Sequence, residues 1–449
     1  MDSKRIRHMA EIVKTRLDKK PILVLSAMGD TTDHLLKAGE DALKNSIVNT
    51  AQIEELHTKT ILDLGLGNIA LEGISPLFAE LQNLLMGISL IKELTGRTRD
   101  YLVSFGERLS IRIVAGYFTA IGIKTKALDA WEAGFISNSN FTNAELTHKS
   151  WELIPRQLLK PMEDDVLQIV TGFLAKDEKG NITTLGRGGS DLTATTIAAA
   201  CNAEEVQIWK DVDGILTADP RIVEKARVLE TISYEVAAEL AYYGAQVLHP
   251  RAMMPCIKTG TPVVVKNSYN PDSPGTKIVR FYSDEKSRVQ AITSRKNVTL
   301  INIISSHMLG QYGFLAEVFN CFANHHISVD MVATSEVSIS ITLDDSYDLS
   351  GLKNDLSKIA TVEIKTGKSI ITVVGDVSDS ADILVRSFNT CKNTGSQVQM
   401  ISYGASMVNI SFIVDGKKAA EIVKGLHKDF FESDQKTTGS KTKNSKTGK

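Results

Sequence analysis

Short apolar runs alternate with helical segments through the first 280 or so residues, and this alternation constrains the fold more than any other feature. The runs are rich in β-branched residues and lie at 21–26, 166–173, 206–209 and 262–266. Continuous runs of this kind are typical of strands buried on both faces. Helical periodicity fills segments at about 32–94, 194–200 and 234–243. Strands that alternate with helices predict an α/β domain over residues 1–282, with a mainly parallel central sheet sandwiched by helices.

The last third of the chain has a different texture. Strand and helix patterns occur twice in the order β-α-β-β, once over 298–366 and once over 369–431. This weak internal repeat predicts two small α+β domains. Residues 433–449 are rich in Lys, Thr, Ser and Gly and contain no apolar residue, which predicts a disordered basic tail.

Composition excludes several classes of function. The 449 residues carry a formal net charge of −2, so no global electrostatic attraction to nucleic acid is expected. No run of 18 apolar residues and no apolar secretory core occur, so we expect neither a membrane span nor a signal peptide. The 4 cysteines are far apart and form no CxxC pair, which is typical of reduced thiols in a soluble intracellular protein. His325 and His326 have only Asp330 nearby, so no protein-bound metal is expected.

A glycine-rich run, T-T-L-G-R-G-G-S-D-L-T-A at 183–194, directly precedes a helical pattern. Glycines allow successive backbone N–H groups to converge on an anion, and the positive end of the following helix would face the same point. Arg187 adds a planar fork suited to a carboxylate or phosphate. We expect Ser190 to cap a helix that begins near Asp191. The alternative is a surface turn with an ordinary cap, but the Arg and Ser-Asp residues favour an anion site.

The stretch W-K-D-V-D-G-I-L-T-A-D-P-R at 209–221 follows a predicted strand directly. Ligands of parallel sheets bind beyond the carboxyl ends of the strands. Asp211, Asp213 and Asp219 could hold a divalent ion or organise loop N–H groups. The D-G and D-P pairs are also common turn formers, and both interpretations stay open.

Glu107 lies in V-S-F-G-E-R at 103–108, which we place at the start of a helical pattern. A glutamate there is either a partner of the helix dipole or a receptor for a substrate ammonium, and the residues alone favour the first interpretation.

Two nucleotide signatures can be set aside. The G-L-G-N-I-A stretch at 65–70 matches a dinucleotide fingerprint, but it follows a helical segment instead of a strand. The chain contains neither the P-loop motif nor the HRD and DFG motifs of protein kinases.

Taken together, these stretches resemble the aspartate kinases of the amino-acid kinase family. The 183–194 run is similar to that family's substrate loop and the 209–221 run to its ATP loop. Three further blocks are similar: L-S-A-M-G-D-T-T, S-F-G-E-R-L-S and Y-G-A-Q-V-L-H-P. The stretches M-L-G-Q-Y-G-F-L-A-E-V-F and I-S-V-D-M-V-A-T-S-E-V-S resemble paired ACT domains, which are ferredoxin-like. The resemblance covers nearly the whole chain to about residue 432.

The resemblance implies phosphorylation of the side-chain carboxylate of L-aspartate by MgATP, without a prosthetic group. Arg187 and Ser190 would hold the aspartate carboxylate, Ser26 would lie nearby, and Glu107 would face the ammonium. Asp191 and Arg187 would be the catalytic residues. The nucleotide pocket would be lined by Lys210, Asp211, Leu216, Arg221, Gln246 and Val247. Gln246 stands where many members carry lysine, which would weaken the nucleotide contact.

One block of the family is missing. Its members open with a strand and a K-F-G-G-T-S block, whereas Met1 stands here where the first helix should begin. The lysine of that block would neutralise charge on the transferring phosphate. We therefore expect a truncated reading of a longer gene, and little kinase activity from the chain as written.

The paired ACT domains imply feedback control by an amino acid, and we favour lysine, with S-adenosylmethionine as an alternative. The positions that resemble the family's lysine pocket are Met308, Gln311, Val329, Asp330, Thr334, Ser335 and Glu336. Asp330 and Glu336 would meet the cationic end of the effector, although surface acids often have no such role. ACT modules commonly pair side by side, which implies a homodimer.

Two other functions stay open. One is a catalytically silent amino-acid sensor or regulatory subunit of the same fold. The other is a kinase for glutamate, acetylglutamate or a nucleotide, against which the paired C-terminal modules and the S-F-G-E-R stretch count. The sequences of the motifs resemble those of the single-activity plastid enzymes, and this resemblance implies a location in the plastid stroma. Otherwise a cytoplasmic location is expected.

Overall fold

The computed structural model describes residues 2–163, 165–243, 247–282, 288–305, 312–404 and 407–432. The chain divides into two compact units. The N-terminal unit comprises Met1–Val212 and Leu248–Arg280, and the C-terminal unit comprises Asp213–Val247 and Phe281–Lys449. The segment Asp213–Val247 therefore groups with the C-terminal part of the chain.

Helices and short strands alternate in the N-terminal unit. Its helices are α1 (Ser3–Lys14), α2 (Thr31–Asn45), α3 (Ala51–Leu64), α4 (Gly67–Ile91), α5 (Gly96–Ala120), α6 (His148–Glu163), α7 (Gly189–Ala200) and α9 (Pro250–Thr259); α8 (Tyr234–Tyr243) belongs to the other unit. A 3-10 turn covers Leu17–Lys19. Its strands are β1 (Ile22–Leu25), β2 (Thr125–Leu128), β3 (Ile136–Ser137), β4 (Leu167–Thr171), β5 (Leu174–Asp177), β6 (Ile182–Thr184), β7 (Val206–Lys210), β9 (Val263–Asn267) and β10 (Thr276–Val279); β8 (Thr231–Ser233) belongs to the other unit.

Parallel pairing dominates where the sequence predicts buried strands. β4 lies between β1 and β2 and is parallel to both. Every residue of β4 is buried, which explains its unbroken apolar pattern. β7 is parallel to β9, and β10 pairs with β9 antiparallel. The prediction of an α/β fold with parallel strands and flanking helices is confirmed, although the strands lie in separate small sheets; a third one has the order β3-β5-β6.

Helix α4 carries apolar residues on its buried side and on its exposed side. Its inner face contributes Ile74, Leu81 and Leu85 to the core, whereas Met86 and Leu90 are exposed. Within the described residues, the stretch Ala70–Ile91 is the one helix whose length and composition would allow it to cross a membrane. Core helices of soluble proteins pass the same test, so this is weak evidence for a span.

The C-terminal unit is built on one long antiparallel sheet. Its helices are α8 (Tyr234–Tyr243), α10 (Phe314–Asn324), α11 (Ser350–Leu356), α12 (Ser380–Asn393) and α13 (Ala419–His427), which continues as a π-helical turn over Lys428–Glu432. Its strands are β8 (Thr231–Ser233), β11 (Val289–Ile304), β12 (Val332–Thr334), β13 (Ser338–Asp344), β14 (Thr361–Gly375), β15 (Met400–Tyr403) and β16 (Asn409–Asp415). Six of these strands form a sheet in the order β12-β13-β11-β14-β16-β15.

The two predicted α+β modules share this sheet because β11 and β14 run through both. The first part of β11, from Val289, pairs with the end of β14, and the part from Val298 pairs with β13 and with the start of β14. One apolar core packs α10 and α11 on the sheet, with Val318 and Leu352 buried in it. A second packs α12 and α13, with Ile383 and Ile422 buried. The second strand of the first module is short, since β12 has only three residues.

Candidate active site

The strand ends of the N-terminal unit hold the first set of predicted site residues. Ser26 directly follows β1, Gly172 directly follows β4, and Lys210 is the last residue of β7. The Ser26 hydroxyl donates to Oγ of Ser190, in the first turn of α7, at 2.9 Å. The carboxyl ends of parallel strands are where ligands bind in α/β sheets. The structure therefore brings Ser26 and Ser190 together at such an end.

Helix α7 starts earlier than its sequence predicts. The helix begins at Gly189, and Gly188, with φ 70°, occupies the N-cap position without a side-chain cap hydrogen bond. The prediction that Ser190 caps a helix starting near Asp191 is therefore wrong, because a left-handed glycine makes the turn and Ser190 already lies inside the helix. A Cβ on Gly172 would lie 2.7 Å from Cβ and Oγ of Ser190, so only glycine allows this approach. The uncapped helix start presents its positive end to the strand ends.

Asp191 and Lys210 form an ion pair across the same strand end. The Lys210 ammonium lies 2.9 Å from Oδ2 and 3.2 Å from Oδ1 of Asp191. The side chains keep 32% and 18% of their surface accessible, so the lysine can still meet a ligand. The Lys210 carbonyl accepts hydrogen bonds from the backbone and hydroxyl of Ser268, which fixes the strand end. This arrangement fixes a partly accessible positive charge at the strand end.

Arg187 is exposed, and among the described residues its guanidinium has no hydrogen-bond or ion-pair partner. The loop that carries it is held by two residues that the sequence analysis did not identify. Arg251 donates to the carbonyls of Leu185 at 2.9 Å and Ala144 at 2.7 Å. The buried Asp100 accepts from the hydroxyl of Thr184 at 2.8 Å and from its backbone N–H at 3.0 Å. Neither residue lies in a recognisable motif of its own, so only tertiary contacts reveal their role.

Glu107 lies in the middle of α5 and not near its start, so the interpretation as a helix-dipole partner is wrong. Its side chain is buried, with 4% of the residue exposed. The Ala27 backbone N–H donates to Oε1 at 3.3 Å, and within the described residues Oε2 has no partner. Burial raises the pKa of the Glu107 carboxyl to about 8. A buried carboxylate with an unused oxygen has the chemistry of a receptor for a cation.

The residues predicted to contact the nucleotide do not all belong to the same unit of the chain. Asp211 belongs to the N-terminal unit and is exposed. Leu216, Arg221 and Val247 belong to the C-terminal unit, and Gln246 lies outside the described residues. Arg221 donates through Nε and Nη2 to Asp219 at 3.0 and 2.9 Å, and these hydrogen bonds lower the pKa of Asp219.

Among the described residues, the aspartates of the 209–221 stretch are not part of a cluster that could bind a metal ion. Over the described parts of the chain, no three His, Cys, Asp or Glu residues come close enough together to hold a metal ion. Asp219 faces Arg221, and its Oδ1 also accepts from the Arg221 backbone at 2.9 Å. The local geometry is therefore that of a turn.

The predicted effector residues lie in the C-terminal unit, except that Met308 and Gln311 fall outside the described residues. The Asp330 side chain is 7% exposed, lies 2.9 Å from Nη1 of Arg295, and accepts a hydrogen bond from the Tyr242 hydroxyl at 2.9 Å. Its Oδ2 is buried and without a partner in the described chain. The remaining four lie before, in or just after β12: Val329, Thr334, Ser335 and Glu336. Of these, Val329 packs on the adjacent core and the other three are exposed.

Comparisons with known proteins identify the family of the chain. A model of the amino acid kinase family matches residues 1–267, and an ACT domain model matches 301–349 and 371–430. Aspartokinase 1, chloroplastic, from Arabidopsis thaliana is 48% identical over 448 residues, with 96% of this chain and 78% of the relative covered. Lysine-sensitive aspartokinase 3 from Escherichia coli is 36% identical over 368 residues, with 79% and 81% covered.

Solved structures show the same architecture. The crystal structure of E. coli aspartokinase III with aspartate and ADP superposes with a TM-score of 0.79 at 32% identity, covering 96% of this chain and 97% of that one. The same enzyme with lysine and aspartate gives a TM-score of 0.79 at 32% identity, with coverage of 95% and 96%. Both the sequence families and the fold lead to one conclusion: the chain belongs to the aspartokinases of the amino acid kinase family and carries ACT domains in its C-terminal part.

Proposed function

We propose that this chain transfers the γ-phosphoryl group of ATP to the side-chain carboxylate of L-aspartate, forming 4-phospho-L-aspartate for lysine, threonine and methionine biosynthesis. The observation that carries the proposal is the pairing of a cation receptor with an anion receptor at one strand end. Glu107 contacts the backbone of Ala27, and the adjacent Ser26 contacts Ser190 at the start of α7. An amino acid carries both charges that this arrangement fits.

The substrate roles follow from these positions. Glu107 receives the ammonium of aspartate, which gives its buried carboxylate the positive partner that it lacks. Ser190 and the exposed Arg187 hold a carboxylate of aspartate, with Ser26 beside them. The start of α7 adds its positive end to the same region. Bidentate recognition of a carboxylate suits the guanidinium of Arg187, which the described structure leaves available.

Phosphoryl transfer needs positioning and charge neutralisation more than a strong base. Lys210, held by Asp191, supplies a fixed positive charge for the transferring phosphate. Magnesium bound with ATP is held mainly by phosphate oxygens and waters and needs only one or two carboxylates. The described residues fit that mode, because they offer single carboxylates such as Asp191 and no closed cage. The ion would neutralise phosphate charge during transfer.

The nucleotide would be contacted by the residues of the 209–221 stretch together with the segment after α8. Resemblance assigns this role to Lys210, Asp211, Leu216, Arg221, Gln246 and Val247. Asp211 and Arg221 are each exposed in their own unit, and this exposure is compatible with a binding role for each of them.

Regulation by lysine is proposed for the C-terminal unit. A relative is named a lysine-sensitive aspartokinase, and an E. coli homologue was solved with lysine. Asp330 would receive the ammonium group of the effector, since its buried Oδ2 has no partner among the described residues. The other proposed effector contacts are Met308, Gln311, Val329, Thr334, Ser335 and Glu336.

Assembly and location are also proposals. ACT domains that pair side by side would make a homodimer. Three relatives that are 46–48% identical are named as chloroplastic, which supports the plastid stroma.

The test is formation of acyl phosphate, trapped as the hydroxamate, with MgATP and the protein expressed from its complete gene. We expect product with aspartate and none with glutamate, and a loss of at least about 100-fold in kcat/KM for Arg187→Ala. A folded protein that binds lysine without forming any acyl phosphate would instead establish the regulatory subunit.

A further inference from the structure

A loop in the C-terminal unit carries two of the proposed nucleotide contacts, Leu216 and Arg221. Its two arms are joined by an isolated antiparallel bridge between Leu216 and Val228. The backbone N–H of Thr217 donates to the carbonyl of Arg227 at 2.8 Å, and that of Leu229 to Ile215 at 2.8 Å. Backbone hydrogen bonds therefore join the two arms of the loop. The contacts of Thr217 with the rest of the unit help to fix the position of the loop.

Four side chains tie this loop to the end of α13, and we name them the anchoring quartet: Thr217, Lys225, His427 and Glu432. Oγ1 of Thr217 lies 3.0 Å from Nε2 of His427. Nδ1 of His427 lies 3.4 Å from Oε1 of Glu432, whose Oε2 accepts from the Lys225 ammonium at 2.7 Å. Thr217 and Lys225 belong to the loop, whereas His427 and Glu432 belong to the end of α13 and the π-helical turn after it. This C-terminal segment therefore holds the loop at two points.

The buried histidine has a defined hydrogen-bonding role. His427 is 1% exposed, and burial lowers its pKa, which favours the neutral ring. With Nδ1–H donating to the Glu432 carboxylate, Nε2 is left as an acceptor for the Thr217 hydroxyl. Oγ1 of Thr217 in turn accepts from the backbone N–H of Arg227 at 3.0 Å. Replacement of the imidazole by an apolar group would leave a buried hydroxyl without its acceptor.

Apolar packing surrounds the quartet on the same side of the loop. Ala218 and Val223 are buried in a core with Phe430 and Phe431, which follow His427. The Thr217 carbonyl also accepts from the backbone N–H of Ile292 in β11 at 2.8 Å. The loop is thus part of the same packed core as the ACT modules, and the quartet attaches it through polar side chains.

We propose that His427 is a positioning residue for nucleotide binding, acting through Thr217 on the loop that presents Leu216 and Arg221. This inference rests on the proposed function, since that function assigns those two residues to ATP. His427 touches no reacting atom in this scheme. It sets the loop conformation, so its loss should weaken ATP binding and leave aspartate binding unchanged.

Steady-state kinetics on the full chain test this with three variants. For His427→Leu, which keeps volume and removes the acceptor, we expect the KM for ATP to rise about tenfold. For Lys225→Ala, which removes an exposed contact and is not expected to impair folding, a rise of about twofold to threefold is expected. Lys424→Ala removes a charge from the exposed face of the same helix and should change neither constant. The KM for aspartate should stay within about twofold of the wild type in all three.

A conservative variant separates positioning from loss of stability. His427→Gln keeps an acceptor within reach of Thr217 and should return the KM for ATP to within about threefold of the wild type. Equal increases in both KM values, or an unchanged KM for ATP in Lys225→Ala, would overturn the inference. If His427→Leu does not fold, Lys225→Ala decides. If the wild type forms no acyl phosphate, the proposed function fails, and calorimetric titration with ADP still tests the loop effect in the same variants.

Discussion

Ser26 and Ser190 are separated by 164 positions in the sequence, yet their hydroxyl oxygens lie 2.9 Å apart. Their hydrogen bond joins the end of β1 to the first turn of α7. The contact is possible because Gly172, at the end of the intervening strand β4, has no side chain. This relationship brings an uncapped helix start to the place where the strands end.

Gly172→Ala should damage this site. The added Cβ would lie 2.7 Å from Cβ and Oγ of Ser190, so α7 must shift. We expect a loss of about 1–3 kcal/mol in the free energy of unfolding and a large loss of activity. Denaturant titration and the hydroxamate assay measure these effects. As a control, Gly87→Ala in α4 meets nothing within 4 Å and should stabilise the helix by about 1 kcal/mol.

Lys210→Ala should lower kcat while leaving the fold intact. The ammonium supplies charge for the transferring phosphate, and its loss should reduce kcat by about 100-fold or more. Asp191→Asn should have a smaller effect, since it loosens the lysine without removing it. Lys258→Ala, on the exposed side of α9, removes the same charge elsewhere and should behave as the wild type. Equal losses in the Lys210 and Lys258 variants would contradict the assigned role.

The stability of the protein should depend on pH through Glu107. Burial raises the folded-state pKa of Glu107 from the ordinary 4.5 to about 8, so the folded state retains a proton that the unfolded state releases. The contribution to stability is fully present below the unfolded pKa, and it is lost as pH rises through the folded pKa. We expect the free energy of unfolding to fall between about pH 5 and 8 in the wild type. In Glu107→Gln the fall should be smaller, and identical urea titrations of the two proteins at both pH values would count against the prediction.

Aspartate binding should release a proton near neutral pH. The arriving ammonium stabilises the ionised form of Glu107 and so lowers its pKa from about 8. Calorimetric titration in buffers of different ionisation enthalpy measures the proton count, and aspartate affinity should rise between about pH 6 and 8. Glu107→Gln should bind aspartate more weakly and should lack the proton release. Unchanged affinity in this variant would remove Glu107 from the substrate site.

Inhibition by lysine should depend on Asp330. Asp330→Asn removes the charge that faces Arg295 and the proposed effector, so the lysine concentration for half inhibition should rise about tenfold or more. Activity without lysine should stay within about twofold of the wild type, because no catalytic group is changed. Tyr242→Phe removes the neutral hydrogen bond to Asp330 and leaves the aspartate charge in place, so it should have a smaller effect. Wild-type sensitivity in Asp330→Asn would exclude it as an effector contact.

Local pattern was enough to predict many elements. The apolar runs at 206–209 and 262–266 correspond to β7 and β9, and helix α8 has the predicted bounds of 234–243. These elements are predictable because the apolar run of a strand and the periodicity of a helix are patterns among neighbouring residues. The family could also be recognised, since its motifs are contiguous in the sequence. The G-L-G stretch was rightly set aside, as Gly65 ends α3 in a left-handed conformation.

Only the tertiary structure decided how distant residues meet. It placed Glu107 in the middle of a buried helix, put Ser190 inside α7, and assigned the loop of Thr217 to the C-terminal unit. It also showed that Arg251 and Asp100 hold the glycine-rich loop. The sequence by itself determined the elements and the family, because those depend on local periodicity and contiguous motifs. Burial, charge pairing and close approach depend on contacts between residues far apart in the chain, and no local pattern encodes them.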